Sequence, residues 1–192
     1  MPSKLELLTD WLPRQHWSVG ELTGPSLAKV GGFRLEDPAG AVGIEFMVVR
    51  DDAAAEVTAY LVPMTYRPAP LAGAEAHLIG TARHGVLGER WIYDGAQDPV
   101  LLTELAELIQ GRASAQAQSQ SNTPDATVHT VAAQAAPGER LEICFSRLLR
   151  PENETGPPAP AGLGWVTGLW TAPDGALIRS VFATARSAAG LG

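Results

Sequence analysis

Between Ser26 and Gly95 the chain offers extended segments joined by turns too short for a parallel crossover. Ser26–Leu35, Ala41–Arg50 and Glu56–Tyr66 read as strands. Glu36-Asp37-Pro38-Ala39-Gly40 is a strong turn cluster between the first two, and Asp51-Asp52-Ala53 a weaker one after the second. His77, Leu78 and Ile79 then lead into turn residues at His84-Gly85 and Leu87-Gly88, and Trp91, Ile92 and Tyr93 return as a hairpin partner. Parallel neighbours need a connection of about a dozen residues or more, so these strands pair antiparallel. Gly31-Gly32 inside the first strand suits a bulge or bend, and no glycine-rich phosphate motif surrounds it.

Two helices frame this sheet. Ser3 and Glu6 form an S-x-x-E capping box, Leu5, Leu8, Trp11 and Leu12 make one apolar stripe, and Pro13 stops a short helix over 4–12. After Asp94-Gly95, Asp98-Pro99 opens a second helix. The carboxylate caps an orphan N–H, and proline has no N–H to lose. Leu101, Leu102, Leu105, Leu108 and Ile109 share its apolar face, and Gly111 ends it.

Beyond it, Arg112 to Thr123 is polar and of low complexity, a linker or mobile loop. Thr127–Ala133, Arg140–Leu149, Leu163–Thr171 and Leu177–Thr184 then read as strands of a small antiparallel unit. Pro151 to Gly164 is too rich in Pro and Gly for regular structure and reads as a long loop. The expected organisation is α+β: an N-terminal helix on a curved antiparallel sheet plus a second helix in 1–111, a polar connection in 112–124, a small antiparallel β unit in 125–185 and a flexible tail in 186–192.

Several functions are disfavoured by composition. A net charge of −7 opposes binding to nucleic acid or to an anionic membrane surface. No stretch approaches a membrane-spanning length, and MPSKLELL lacks the features of a secretory signal. With a single cysteine, Cys144, there is no internal disulfide, and a cytoplasmic location is expected. His16, His77, His84 and His129 show no metal-ligand spacing, so neither a metal nor a cofactor is expected. Cys144 sits between Ile143 and Phe145 and reads as an inert, buried strand thiol. Glu36/Asp37 and Asp51/Asp52 are adjacent turn residues, not carboxylates facing each other across a cleft. No catalytic residue emerges.

The candidate ligand or partner surface is aromatic and basic: His84, Arg90, Trp91, Tyr93, Trp165 and Trp170. His84 sits in an apparent turn. Trp91 and Tyr93 share one strand face, and core packing competes with a binding platform for both. Trp165 and Trp170 point to opposite faces of a regular strand, so at least one is expected at a surface or interface. A partner protein calls for an exposed apolar patch that includes one of them, and a sugar for a cleft with a Trp face and convergent polar groups.

The stretches WLPRQHW, GGFRLEDPAGAVGIEFMVVRD, YLVPMTYRPAPL and LIGTARHGVLGERWIYDG, followed by x-x-D-P and a Leu-rich helix, resemble the N-terminal cap of maltokinases. They resemble still more the short stand-alone maltokinase cap-like proteins. The likeness covers most of 3–150. It implies a cap sheet similar to cystatin, followed by the start of a kinase small lobe. Gln120-Ser121-Asn122-Thr123 matches a loop motif of that lobe, and LEICFSRLL matches its next strand, with Cys144 where the family carries a phosphate-binding lysine. A thiol supplies neither the fixed charge nor the donors that phosphoryl transfer needs. No H-x-D-x-x-x-x-N catalytic loop occurs in the chain. The resemblance therefore implies a non-enzymatic protein that binds a protein partner or a carbohydrate, in a setting of α-glucan, maltose or trehalose metabolism. Self-association is compatible with it. An enzyme of glucan metabolism and a nucleotide-binding pseudokinase fragment are the alternatives.

Overall fold

A computed structural model describes residues 2–19, 24–53, 58–85, 88–118, 123–136, 138–149 and 162–188. It is mostly antiparallel sheet with two short helices, an α+β arrangement. Helix α1 spans Lys4–Trp11, and both halves of its Ser3/Glu6 capping box form. Strands β1 (Leu27–Leu35), β2 (Gly43–Asp51) and β3 (Thr58–Arg67) follow, then the hairpin of β4 (Leu78–His84) and β5 (Gly88–Asp94). Helix α2 spans Pro99–Ile109, and the Asp98 carboxylate accepts from the Val100 N–H as expected. The last strands are β6 (His129–Val131), β7 (Leu141–Phe145), β8 (Leu148–Leu149), β9 (Gly164–Thr171) and β10 (Leu177–Ser187).

All strand pairs are antiparallel, and the strands form one sheet in the order β4-β5-β3-β2-β1-β9-β10-β7. The sheet also turns back on itself. Phe145 of β7 pairs with Ala183 of β10, and three residues later Leu148 of β8 pairs with Tyr60 of β3. The circuit β3-β2-β1-β9-β10-β7/β8-β3 is thus closed, with β4 and β5 as a flap on β3. The stretch expected as a single strand over Arg140–Leu149 is therefore broken at Ser146 and Arg147, where it changes partners.

β3 serves both neighbours along one edge. Its N-terminal end pairs with β8 and its C-terminal end, Met64–Arg67, pairs with β5. The Leu61 N–H donates to the Arg147 carbonyl across that edge. Strand alternation points the nitrogen of Pro63 the same way, into the gap between β8 and β5, where a missing N–H leaves no acceptor stranded.

The interior of the circuit holds Phe33, Phe46, Val48, Leu61, Leu149, Val166 and Phe182 in one cluster, and α2 adds Leu101, Leu105, Leu108 and Ile109 to it. The Phe33 ring stacks on Phe46 at 4.4 Å and on Phe182 at 6.1 Å between centroids. Burying each such ring is worth roughly 1.5–3 kcal/mol. A second cluster lies on the opposite face of β2 and β3. There α1 seats Leu8 and Trp11, with Leu12 just beyond, on Met47, Val49, Tyr60, Val62 and Ile92. Coverage on both faces explains the apolar runs Phe46–Val49 of β2 and Ala59–Met64 of β3.

The polar connection is held at its start. Gln116 exchanges both backbone hydrogen bonds with Arg34 of β1, and the Gln118 amide donates to the Phe46 carbonyl at 3.1 Å. Ser119–Asn122 and the greater part of the long loop, 150–161, lie outside the described residues. Strands drawn from 1–111 and from 125–185 share one sheet and one cluster. β10 runs on to Ser187, past the Thr184 end and into the segment expected to fray, because Ala185, Arg186 and Ser187 pair with β7.

Gly31-Gly32 is the bend the sequence suggests, with a register shift between Lys29 and Gly31. Gly31 is also the residue through which β1 meets β9, opposite Trp170, and a Cβ there would sit 2.5 Å from the Leu169 carbonyl oxygen. Gly32 has φ 119°, and a Cβ would sit 1.8 Å from the Phe46 carbonyl oxygen. Gly31→Ala and Gly32→Ala are each expected to lower stability by about 1–3 kcal/mol. Chemical denaturation against the wild type checks this, and Gly40→Ala, which meets nothing within 4 Å, separates the steric cost from that of a positive φ.

Candidate functional site

Along the strands of the circuit, side chains alternate between the interior and the outer face. On β1–β3 the outer face is covered by α1. On β6, β9, β10 and β7 no helix covers it among the described residues. One cross-strand row runs over this bare surface: Val131 pairs with Trp165, Trp165 with Thr184, and Thr184 with Cys144. Val131 is 42% exposed and Trp165 partly exposed. Alternation brings Leu169 and Val181 to the same face, and Leu177, 67% exposed, extends it. Arg186, ion-paired with Glu142 at 2.7 Å, forms one rim, and Arg179, opposite Leu169 and between Leu177 and Val181, lies within the face, bound to the Thr127 carbonyl and the Thr167 hydroxyl.

Cys144 belongs to this surface, which corrects the expected burial. β7 is half-covered: Leu141, Ile143 and Phe145 turn to the interior, so Glu142 and Cys144 between them face solvent. An apolar neighbour on each side of a strand residue marks the opposite face, not burial.

The six candidate residues do not form one site. Trp165 lies in the row just described. Trp170, one face over, is 3% exposed and donates its indole N–H to Ser180 Oγ at 3.0 Å inside the circuit. Tyr93 is 3% exposed, and its hydroxyl accepts from the Leu71 N–H at 2.9 Å. It sits under the 68–74 loop and is no platform. Trp91 is partly exposed opposite Arg67, and Arg90 is partly buried opposite Ala82. His84 ends β4, and its side chain lies outside the described residues. β3, β2 and β1 separate the Trp91 pair from Trp165 in the sheet order.

Sequence reasoning missed a set of buried charges. Glu45, 3% exposed, accepts from Lys4 Nζ at 2.6 Å, the Tyr66 hydroxyl at 2.6 Å and Gln118 Nε2 at 3.2 Å, with Lys29 Nζ at 3.5 Å. Burial alone would raise its pKa; Lys4, Tyr66 and Lys29 outweigh that and hold it below the usual value. Burial and the Glu45 charge push the Tyr66 phenol well above its ordinary range. Asp98 takes two bonds from Arg67, at 2.7 and 2.6 Å, one from Thr65 Oγ1 and one from the α2 backbone. Asp94 takes two from Arg147 Nη2, at 2.8 and 2.6 Å. Arg147 lies over the ring of Trp17 at 4.8 Å and near that of Phe145 at 5.8 Å. Asp51 accepts from the Ser26 and Ala53 N–H groups. One signal was present: Glu45 interrupts an apolar run whose neighbours bury both faces, and a charge there requires a partner.

Among the described residues no group of three or more His, Cys, Asp or Glu side chains is placed to hold a metal ion, and no helix is long and apolar enough to cross a membrane.

A helix on an antiparallel sheet, followed by a capped helix at Asp98, defines the first part of the molecule as a cap-type α+β unit. Residues 11–98, just under half of the 192-residue chain, match the maltokinase N-terminal cap domain. The match ends at the N-cap of α2. No curated protein matches the chain.

Burial alone would raise the Asp98 pKa, but the bonds from Arg67, Thr65 and the Val100 N–H bring it below the ordinary value. A folded-state pKa below the unfolded one gives stability that is complete above the unfolded pKa, near ~3.9. It is lost as pH falls through the folded pKa. Asp98→Asn is therefore expected to flatten the acid limb of a stability–pH profile below about pH 4. Asp98→Ala leaves the partly exposed Arg67 without its ion-pair partner and removes the α2 cap, and is expected to cost about 2–3 kcal/mol at neutral pH. Urea melts at several pH values check both.

Proposed function

We propose that this is a non-catalytic protein, built on a maltokinase-type cap, that binds a protein partner through the bare outer face of β6, β9, β10 and β7. The observation that carries this reading is the row Val131–Trp165–Thr184 with Leu169, Val181 and Leu177 around it, an apolar surface on a sheet covered elsewhere by a helix. An aromatic side chain stands in the row with apolar and charged residues around it, the composition of a protein contact more than of a sugar cleft. The buried carboxylates support the non-catalytic part. Glu45, Asp51, Asp94 and Asp98 each spend their acceptors on structural donors, so none of them is poised to exchange a proton with a substrate.

In this reading residues 125–185, which resemble the start of a truncated kinase small lobe, supply a docking sheet in place of a nucleotide site. Cys144, where the resemblance calls for lysine, faces solvent beside Arg186. The likeness of the cap sheet to cystatin, a cytoplasmic location and a setting in α-glucan, maltose or trehalose metabolism belong to the same proposal and rest on the cap alone.

Affinity capture from the native cell extract, comparing the wild type with Val131→Glu/Trp165→Ser, tests it. A protein held by the wild type and lost by the double variant at unchanged thermal midpoint is the expected result. A carbohydrate-binding protein would instead gain ~2.7 kcal/mol from maltose, trehalose or a malto-oligosaccharide at ~100-fold over Kd. That is a rise on the order of 5–10 °C for a chain of this size, and such a rise, or one with Mg–ATP, contradicts the proposal.

A further inference from the structure

An open groove of about 1110 Å³ runs between α2 and β7. It lies on the other side of β7 from the Trp165 row and shares with that face only the rim residue Glu142, so a ligand seated in it is independent of the outer-face reading. One wall is the α2 surface, with Leu102, Thr103 and Ala106. The other is the edge of β7 at Leu141 and Ile143.

The hydrogen-bond phase of β7 decides what that edge presents. The Ser146 N–H donates to the Phe182 carbonyl at 2.9 Å, and the Ala188 N–H to the Arg140 carbonyl at 3.0 Å. In an antiparallel ladder every second residue bonds the same neighbour. The register Glu142 to Arg186 and Cys144 to Thr184 therefore spends the backbone groups of Glu142 and Cys144 on β10. Those of Leu141 and Ile143 point the opposite way, into the groove. β10 is the strand partner of β7 among the described residues. Two N–H and two C=O groups thus line an open channel walled by a helix. A row of alternating donors and acceptors at strand spacing is complementary to one chemical object, the backbone of an extended chain.

Charged side chains also line the wall. Glu107 is ion-paired with Arg112 and Glu142 with Arg186, and Glu139 accepts from the Ala136 N–H and the Ser187 hydroxyl. Arg140, at the N-terminal end of β7, is exposed and has no ion-pair partner among the described residues. The Ala136 and Ser187 donors are neutral, so Glu139 keeps its charge beside that of Arg140, and the channel has no positive excess.

We propose that this groove takes an extended peptide segment of a partner protein. The segment adds as a strand to β7, and its side chains alternate toward Leu102 and Ala106 of α2.

The test uses a displayed library of random eight-residue peptides against the whole chain, followed by the enriched peptide made with a fluorescent label. Binding is expected to slow backbone amide exchange at Leu141 and Ile143 while leaving the already bonded Glu142 and Cys144 amides unchanged. Thr103→Trp, a change at an exposed position in the helix wall, is expected to abolish binding by filling the channel at an unchanged thermal midpoint. No enrichment above the starting library overturns the proposal, as does an enriched peptide that leaves exchange at Leu141 and Ile143 untouched or binds the Thr103→Trp variant equally well.

Discussion

The fold depends on a change of partners within two residues. β7 leaves β10 after Phe145, and β8 reaches β3 at Leu148. Arg147 makes the crossing. Its carbonyl accepts from Leu61 of β3, and its guanidinium binds Asp94 at the end of β5 and lies over Trp17 beyond α1. One residue thus touches the closing strand, the flap and the N-terminal segment. The arrangement is not fully satisfied, because Arg147 Nη1 is buried without a hydrogen-bond partner among the described residues. Replacing such an arginine leaves Asp94 without its cation, which is the costly way to break a buried pair.

Closure produces two cores with different tasks. The interior cluster joins aromatic residues of the cap strands to those of the later strands, as in the contact between Phe33 and Phe182. The outer cluster fastens α1 to β2 and β3, and Glu45 anchors it by holding Lys4 of the helix and Lys29 of β1 at once. Because α1 is spent on that half of the circuit, no helix covers the other half among the described residues. The surface around Trp165 arises from how a single amphipathic helix is allotted to a closed sheet. The α2–β7 groove has a related origin, since β7 reaches β3 through β8 and its first residues pair only with β10 among the described residues.

Local structure was largely legible in the residues. The Ser3/Glu6 box, the Asp98-Pro99 helix start and the Gly31-Gly32 bend are local devices, and each appears where its chemistry places it. The opposite orientation of Trp165 and Trp170 follows from alternation alone. The features that the residues hid are long-range. Nothing in LEICFSRLL announces that its last two residues pair with a strand some ninety positions earlier, a separation set by the Ala59–Leu149 register. Cys144 read as buried because apolar neighbours were counted without asking how many faces the strand covers. Tyr93 and Trp170 read as surface candidates because aromatic content does not reveal which hydroxyl or indole already has a partner. In the polar stretch after α2, Gln116 and Gln118 are tied to β1 and β2 by backbone and amide bonds that low complexity does not signal.

If the cap strands and the later strands form one closed, cooperative sheet, they must melt together. Differential scanning calorimetry of the whole chain tests this most directly. A closed sheet gives a single transition whose calorimetric and van't Hoff enthalpies agree, and which moves as a whole when Arg147 is replaced by alanine. Two resolved transitions, with Arg147→Ala shifting only one of them, would contradict closure and would make the cap and the later strands separate folding units.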